Sequence, residues 1–241
     1  MKTEITHLNK KIIINLHENE NETVSSTISK TGNFFEINFL DFVRNNFKKQ
    51  KTIIDIGANI GNHSLFFAEF LEHDEIICFE PFEKNVELLK LNLIGKNCKI
   101  MDYALSDSNS EKILYNSEAI NFGGFSLHSY DGSKGENKSF IVKDKVVTKT
   151  LDSLNLTDIT MIKIDVEGHE NSVLNGGIET IKRNNPIIFI ENLSPAYPHL
   201  FHDSQFDEFF KEINYIRAYN NIVSSCMDLW IPKLMELPNG K

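Results

Sequence analysis

Nothing in the 241 residues approaches the roughly 18 consecutive apolar residues that a membrane-crossing helix needs. The opening Met1-Lys-Thr-Glu-Ile-Thr-His7 lacks the apolar centre of a signal peptide, so a cytoplasmic location is expected. Cysteine is scarce, with only Cys78, Cys98 and Cys226, and their spacings fit neither a zinc site nor a disulfide framework. Basic residues are outnumbered, 25 Lys and Arg against 34 Asp and Glu, for a net charge of −9. No basic stripe offsets this; Lys48-Lys49-Gln50-Lys51 reads as the solvated end of a helix, so nucleic acid is not an expected partner. No Gly-Lys-Ser/Thr follows a glycine turn, which excludes a P-loop.

What is present is an alternation of strand and helix patterns. Strands are expected at 12–16, 52–56, 76–80, 98–104, 140–147, 160–166 and 187–191, and strand-like segments at 215–219 and 222–230. Helices are expected at 34–47, 61–71, 82–94, 168–175 with a second to about 184, and 205–212. The polar stretch Glu18–Thr31 reads as loop, and about 106–140 as an irregular insertion of the kind that is often functional. Asn33 and Glu36 have the spacing of a capping box. The alternation argues for an α/β, doubly wound, mostly parallel sheet. One domain is expected over 1–241: an N-terminal strand and helix extension (1–50), a cofactor-binding core (51–191), and a C-terminal helix with strands (192–241).

The densest signal is Thr52-Ile-Ile-Asp55-Ile-Gly57-Ala58-Asn59-Ile-Gly61, followed by the strand Ile76-Ile-Cys-Phe-Glu80 and Pro81. Glu80 lies 80 − 61 = 19 positions beyond Gly61, near the spacing of a ribose-binding acid after a nucleotide-binding glycine turn. A carboxylate suits that task because it only accepts hydrogen bonds and has two oxygens. A dinucleotide turn needs a glycine where the backbone meets the pyrophosphate, and Ala58 and Asn59 stand there instead. Asp55 adds a negative charge, repulsive to a pyrophosphate and attractive to a cation. S-adenosylmethionine (SAM) carries a sulfonium, an ammonium and no phosphate, so the signs favour it over NAD. Asp102, at the end of the third strand beside Ala104, suits an adenine amino group, and Glu36 suits the cofactor ammonium.

A second cluster is Lys163-Ile-Asp165-Val-Glu167-Gly-His169-Glu170. Lys163, Asp165 and Glu167 alternate, which on a strand puts them on one face. Charges in a central parallel strand are expected at its carboxyl end, where ligands bind. His169 is a candidate general base. An Asp/Glu/His set of this kind also suits a divalent cation, and the residues leave the two readings open. Asn121-Phe-Gly123-Gly124-Phe-Ser126 is a candidate loop over the cofactor or substrate. Tyr130 and Lys134 match the spacing of a dehydrogenase pair, but in a glycine-rich stretch that opposes helix.

Taken in order, Ile54-Asp-Ile-Gly-Ala-Asn-Ile-Gly61, Phe79-Glu-Pro81, Ala104-Leu-Ser-Asp107, Leu151-Asp-Ser-Leu154 and Lys163 to Glu170 resemble the motifs of the FkbM family of SAM-dependent methyltransferases. The resemblance spans about Phe35 to Glu191. It implies a Rossmann-like class I sheet with an antiparallel C-terminal strand, and SAM as cofactor. Asp55, Gly57, Ala58, Asn59, Gly61 and Asn62 would form the methionine end of its site, with Asp165 nearby. Glu80 and Pro81 would sit at the ribose, and Asp102 and Ala104 at the adenine. Asp165, Glu167 and His169 would supply the base, tuned by Lys163. It also implies O-methylation of a sugar, glycan or polyketide-like acceptor. The DNA amino-methylating tetrad Asp/Asn-Pro-Pro-aromatic is absent. An NAD-dependent oxidoreductase or epimerase, and a SAM-binding module without transfer activity, are the alternative readings.

Overall fold

The computed structural model describes residues 1–18, 22–117, 125–127, 140–195 and 201–237. The Gly123–Gly124 segment and the Tyr130/Lys134 pair lie outside them, and the side chains of Phe125 and Ser126 are likewise not described. Strands β1 (Lys2–His7) and β2 (Lys10–Asn15) form an antiparallel hairpin whose two-residue turn, Leu8 and Asn9, has positive φ at both positions. Helices α1 (Thr23–Thr31) and α2 (Ile37–Asn46) follow. The α1 helix replaces the expected loop: Val24 and Ile28 are its only apolar residues, and Glu22 caps it by accepting from the backbone N–H of Val24 and Ser25. The capping box does not form. Glu36 takes a left-handed conformation (φ 54°) with no capping bond and pairs with His63 instead.

The alternation then holds through β3 (Thr52–Ile56), α3 (Asn62–Phe70), β4 (Glu75–Phe79), α4 (Glu83–Asn92) and β5 (Cys98–Met101). The third strand is shorter than expected, because Ala104–Leu105 (β6) turns away to pair with β9 (Phe140–Lys149). The region expected to be irregular contains β7 (Ser110–Ser117) and β8 (Phe125–Ser126), which join a four-stranded sheet in the order β6-β9-β7-β8. Lys112-Ile-Leu114 alternates too briefly in a Ser- and Asn-rich context to announce it. The chain returns through β10 (Ile159–Ile164), α5 (Glu170–Asn175), α6 (Ile178–Asn184), β11 (Ile187–Glu191), α7 (Asp207–Glu212), β12 (Tyr215–Tyr219) and β13 (Met227–Pro232). The strand expected from 222 begins only at Met227, after a short 3₁₀ turn over Ile222–Ser224.

Seven strands make the main sheet in the order β12-β13-β11-β10-β3-β4-β5. Neighbours from β11 to β5 are parallel, and β13 lies antiparallel between β11 and β12. This is the Rossmann-like class I methyltransferase arrangement, as expected. Parallel strands covered on both faces are apolar on both faces. Ile53, Ile76, Met161 and Phe189 pack with Phe39, Val43 and Phe67 on one side. Ile54, Ile77, Ile162 and Ile188 pack with Val173, Ile181, Phe206 and Phe210 on the other. The order reverses between β3 and β10, so a crevice opens at their carboxyl ends.

Asn92 ties the hairpin to this frame. Its Oδ1 accepts from the backbone N–H of Asn15 (2.6 Å), and its Nδ2 donates to the carbonyls of Asn15 (3.0 Å) and Ile60 (2.7 Å). Replacing Asn92 by Ala strands these buried groups and is expected to lower stability by about 1–3 kcal/mol in urea unfolding.

Candidate active site

Register builds the site's foundation. Lys163 on β10 lies directly opposite Asp55 on β3. Both side chains are buried, and Lys163 Nζ meets Asp55 Oδ1 at 3.2 Å, Asp165 Oδ2 at 3.1 Å and the Gly57 carbonyl at 3.0 Å. The ammonium donates a hydrogen bond to the Gly57 carbonyl and is ion-paired with the two carboxylates on either side. Burial alone would lower the lysine's pKa; the Asp165 and Asp55 carboxylates outweigh it and hold the pKa above its usual value. Asp55 also accepts from Ser64 Oγ on α3 at 2.5 Å. The charge of Asp55 is thus matched inside the protein. It supports the crevice from below and is not part of the wall.

Gly57 closes the same corner. It has φ +78°, and a Cβ there would stand 1.8 Å from the Asp165 carbonyl oxygen, so only glycine lets the ends of β3 and β10 approach. The backbone N–H groups of Gly57 and Ala58 both donate to the Phe79 carbonyl. Gly61 begins α3 at φ 88°. Asn62 does not reach the crevice; it clamps Phe35, accepting from its N–H at 3.0 Å and donating to its carbonyl at 3.1 Å. His63 Nε2 pairs with Glu36 Oε2 at 3.2 Å. The first turn of α3 therefore fixes the segment that carries Phe35 and Glu36.

Above this lies a cavity of about 240 Å³ at the carboxyl ends of the strands. Gly57, Asn59, Glu80 and Pro81 line one side, with Phe79, Ala104 and Leu105 as its apolar part. Glu36, Asp165, Glu167, His169 and Glu191 line the other. Asp102 is exposed and outside this wall, because the chain turns away after Met101. Glu167 does not share the strand face of Lys163 and Asp165: β10 ends at Ile164, and Glu167 sits in a left-handed turn (φ 56°). That turn still delivers it to the cavity. Glu170 holds the turn, its Oε1 accepting from the N–H of Val166 and Gly168, both at 3.1 Å.

The wall holds protons tightly. Burial pushes Glu80 up to about 7, although the N–H groups of Phe82 and Asn59 (both 2.9 Å) donate to its two oxygens. Burial also pushes Glu170 up to about 7. Glu167 and Glu191 are raised well above the carboxylate range by burial first, then by the nearby Asp165. Asp165 stays low: burial opposes its charge, but the Lys163 ammonium beside it outweighs burial. Glu191 Oε2 is buried with no hydrogen-bond partner. The sequence reading missed Glu191, although Ile187-Ile-Phe-Ile-Glu191 ends in an acid just as β4 leads into Glu80. It also missed Thr23 and Val24, which reach the cavity on the unforeseen α1. Among the described residues, no group of three His, Cys, Asp or Glu converges as metal ligands would.

The family model for the methyltransferase FkbM domain matches residues 55–222. The chain belongs to the FkbM methyltransferase family, a SAM-dependent class. Its structure is similar to methyltransferase FkbM from Methylobacillus flagellatus, with a TM-score of 0.51 at 15% identity over 76% of this chain. The chain spans 43% of that protein's length, and at this identity the likeness concerns the fold. Weaker likenesses are to precorrin-6y C5,15-methyltransferase of Geobacter metallireducens (TM-score 0.43, 10% identity, 75% of this chain and 71% of that one) and to ribosomal protein L11 methylase of Lactobacillus delbrueckii (TM-score 0.45, 8% identity, 80% and 77%). No curated protein matches the sequence.

Two outcomes test this FkbM-type site. Lys163→Met leaves Asp55 buried and unmatched, and is expected to cost about 3–5 kcal/mol in urea unfolding, partly restored by adding Asp55→Asn. The second concerns pH. Glu80, Glu170, Glu167 and Glu191 have folded pKa values above those of the unfolded chain, so the folded state holds more protons between about pH 4.5 and 7. Stability is full below that window and lost as pH rises through it. The melting temperature of the free protein is expected to fall from about pH 5 to 8. Glu170→Gln, which keeps an acceptor oxygen, is expected to flatten the fall.

Proposed function

We propose that the protein transfers a methyl group to a hydroxyl oxygen of a sugar, a glycan or a related natural product. SAM supplies a methyl group on a positively charged sulfur, and its transfer leaves the carbon–sulfur electron pair on a neutral thioether. The observation that carries this reading is the carboxylate wall of Glu36, Asp165, Glu167 and Glu191 facing Glu80 across one cavity. Such a wall suits an ammonium and a sulfonium, whose positive charge would favour ionisation of Glu167 and Glu191. The buried, unpartnered Oε2 of Glu191 fits a hydrogen-bond donor from the bound molecule. Glu80, whose two oxygens accept from the backbone N–H groups of Asn59 and Phe82, is the acceptor placed for the ribose hydroxyls. Phe79, Pro81, Ala104 and Leu105 offer the apolar slot for adenine.

Alignment of the reacting groups supplies most of the acceleration, on the order of 7–11 kcal/mol. A base that takes the hydroxyl proton adds about 10²–10⁴-fold. Asp165 is a poor proton acceptor because Lys163 holds its charge, and Lys163 is fully engaged in holding the strand ends. Glu167 and His169, on the turn after β10, are the candidate bases.

Calorimetry is expected to show binding of SAM and its demethylated product but not of NAD; binding of NAD alone would sink the reading in favour of an oxidoreductase. SAM affinity is expected to rise with pH through about 7, as Glu80 ionises and becomes the better acceptor. Glu80→Gln is expected to weaken SAM by about 1.5–3 kcal/mol and to flatten that rise.

A further inference from the structure

The family model begins at Asp55, yet Thr23, Val24, Phe35 and Glu36 line the cavity from residues before it. A second line of contact joins this N-terminal segment to the Glu80 side. Asn85, buried at the third position of α4, also lines the cavity. His17 Nε2 stands 2.8 Å from its Oδ1. His17 is itself held from α1, its N–H donating to Oγ of the wholly buried Ser25 at 3.1 Å. Two residues earlier, Asn15 binds Asn92, also on α4. Asn85 and Asn92 are seven residues apart and so share one helix face. The end of the hairpin is thus pinned along α4 at two points. We propose that Asn85 is a cofactor-binding residue that donates to the ribose beside Glu80, and that His17 is the positioning residue that turns its amide; this rests on the assignment of the ribose to Glu80 above.

An amide oxygen only accepts, so the contact puts a proton on His17 Nε2. That decides which end of Asn85 goes where. The oxygen turns to His17, and the Nδ2 group, with two protons, turns the other way. Burial pushes Glu80 up, and Asn85 joins Phe82 and Asn59 in favouring its charged form, as an amide N–H near the carboxylate does. A ribose hydroxyl has one proton and two lone pairs. The Glu80 carboxylate takes the proton, and the Asn85 amide beside it donates into a lone pair. With the amide reversed, its oxygen would be turned toward the Glu80 carboxylate, acceptor against acceptor. His17 holds the amide against that reversal. The cofactor site is completed from outside the family-matched residues, by a histidine two positions past the hairpin.

The test is calorimetry of S-adenosylhomocysteine, the demethylated product of SAM, with the full chain. Asn85→Ala is expected to weaken binding about tenfold, as the loss of one hydrogen bond does. His17→Ala is expected to weaken it about threefold or more. His17→Gln, whose amide can donate to the same oxygen, is expected to restore it. Because His17 acts through Asn85, His17→Ala is expected to add nothing once Asn85 is replaced by Ala. Unchanged binding in Asn85→Ala, or an equal loss from His17→Ala in both backgrounds, overturns the proposal. If either Ala variant fails to fold, Asn85→Asp keeps the acceptor for His17 and lacks the donor. Binding by Asn85→Asp as tight as the parent's overturns the proposal. The ¹⁵N spectrum of the His17 ring, assigned with His17→Gln, is expected to show a proton on Nε2; a neutral ring protonated at Nδ1 overturns it. Glu80→Gln reports separately on the ribose assignment, since neither the ring spectrum nor the coupling of His17 to Asn85 depends on it.

Discussion

The ion triad of Asp55, Lys163 and Asp165 is the constraint on which the site depends. A buried charge is tolerated only when paired and hydrogen bonded, and Lys163 meets that condition between two carboxylates while donating to the Gly57 carbonyl. Doing so joins β3 to β10 where the strand order reverses and draws the Gly57 carbonyl to the same point. The glycine turn, the start of the turn through Glu167 and the floor of the cavity are thus one structure. A one-residue slip between β3 and β10 would separate Lys163 from Asp55 and send each to the opposite face.

That triad also divides the acidic residues into two kinds. Asp165 is held ionised by the Lys163 cation built in beside it, and the same cation pairs with Asp55. Glu167 and Glu191 lie past the reach of that cation's protons, and burial with a neighbouring anion keeps them protonated. A positively charged molecule entering the cavity would supply what the fold withholds, lowering the cost of ionising them. The cavity is therefore complementary to a cation in a graded way, held ready by proton binding and not by standing negative charge alone.

The sheet was legible because its strands are short apolar runs bounded by acids and glycines, and β3, α3, β4 and β11 fall close to where the pattern places them. The misses share a cause. Helix α1 has only Val24 and Ile28 as apolar residues among serines and threonines, and forms on its Glu22 cap and tertiary packing. Strands β7 and β8 lie within a Ser- and Asn-rich stretch. Of the site, Glu80, Gly57 and the 163–169 turn were visible from spacing. The partners were not: that Lys163 cancels Asp55, and that Glu167 reaches the cavity from a left-handed turn, depend on pairing across about a hundred residues. The inference from the charge of Asp55 to a cationic ligand rested on a charge that Lys163 already matches; the acids that line the cavity are Glu36, Asp165, Glu167 and Glu191.

The glycine turn acts more as scaffold than as ligand. Ala58 and Gly57 bind the Phe79 carbonyl, Asn59 offers its N–H to Glu80, and Asn62 and His63 strap the segment bearing Phe35 and Glu36. Each of these contacts fixes a residue from a distant part of the chain against the same seven-residue stretch, 57–63. The left-handed backbone of Glu36 follows from this. A non-glycine residue enters that conformation only where its surroundings over-determine it, and here the Asn62 clamp and the His63 pair do so, at the cost of a conventional start to α2. The local rule broken at Glu36 places a carboxylate in the cavity wall that no helix cap would have put there.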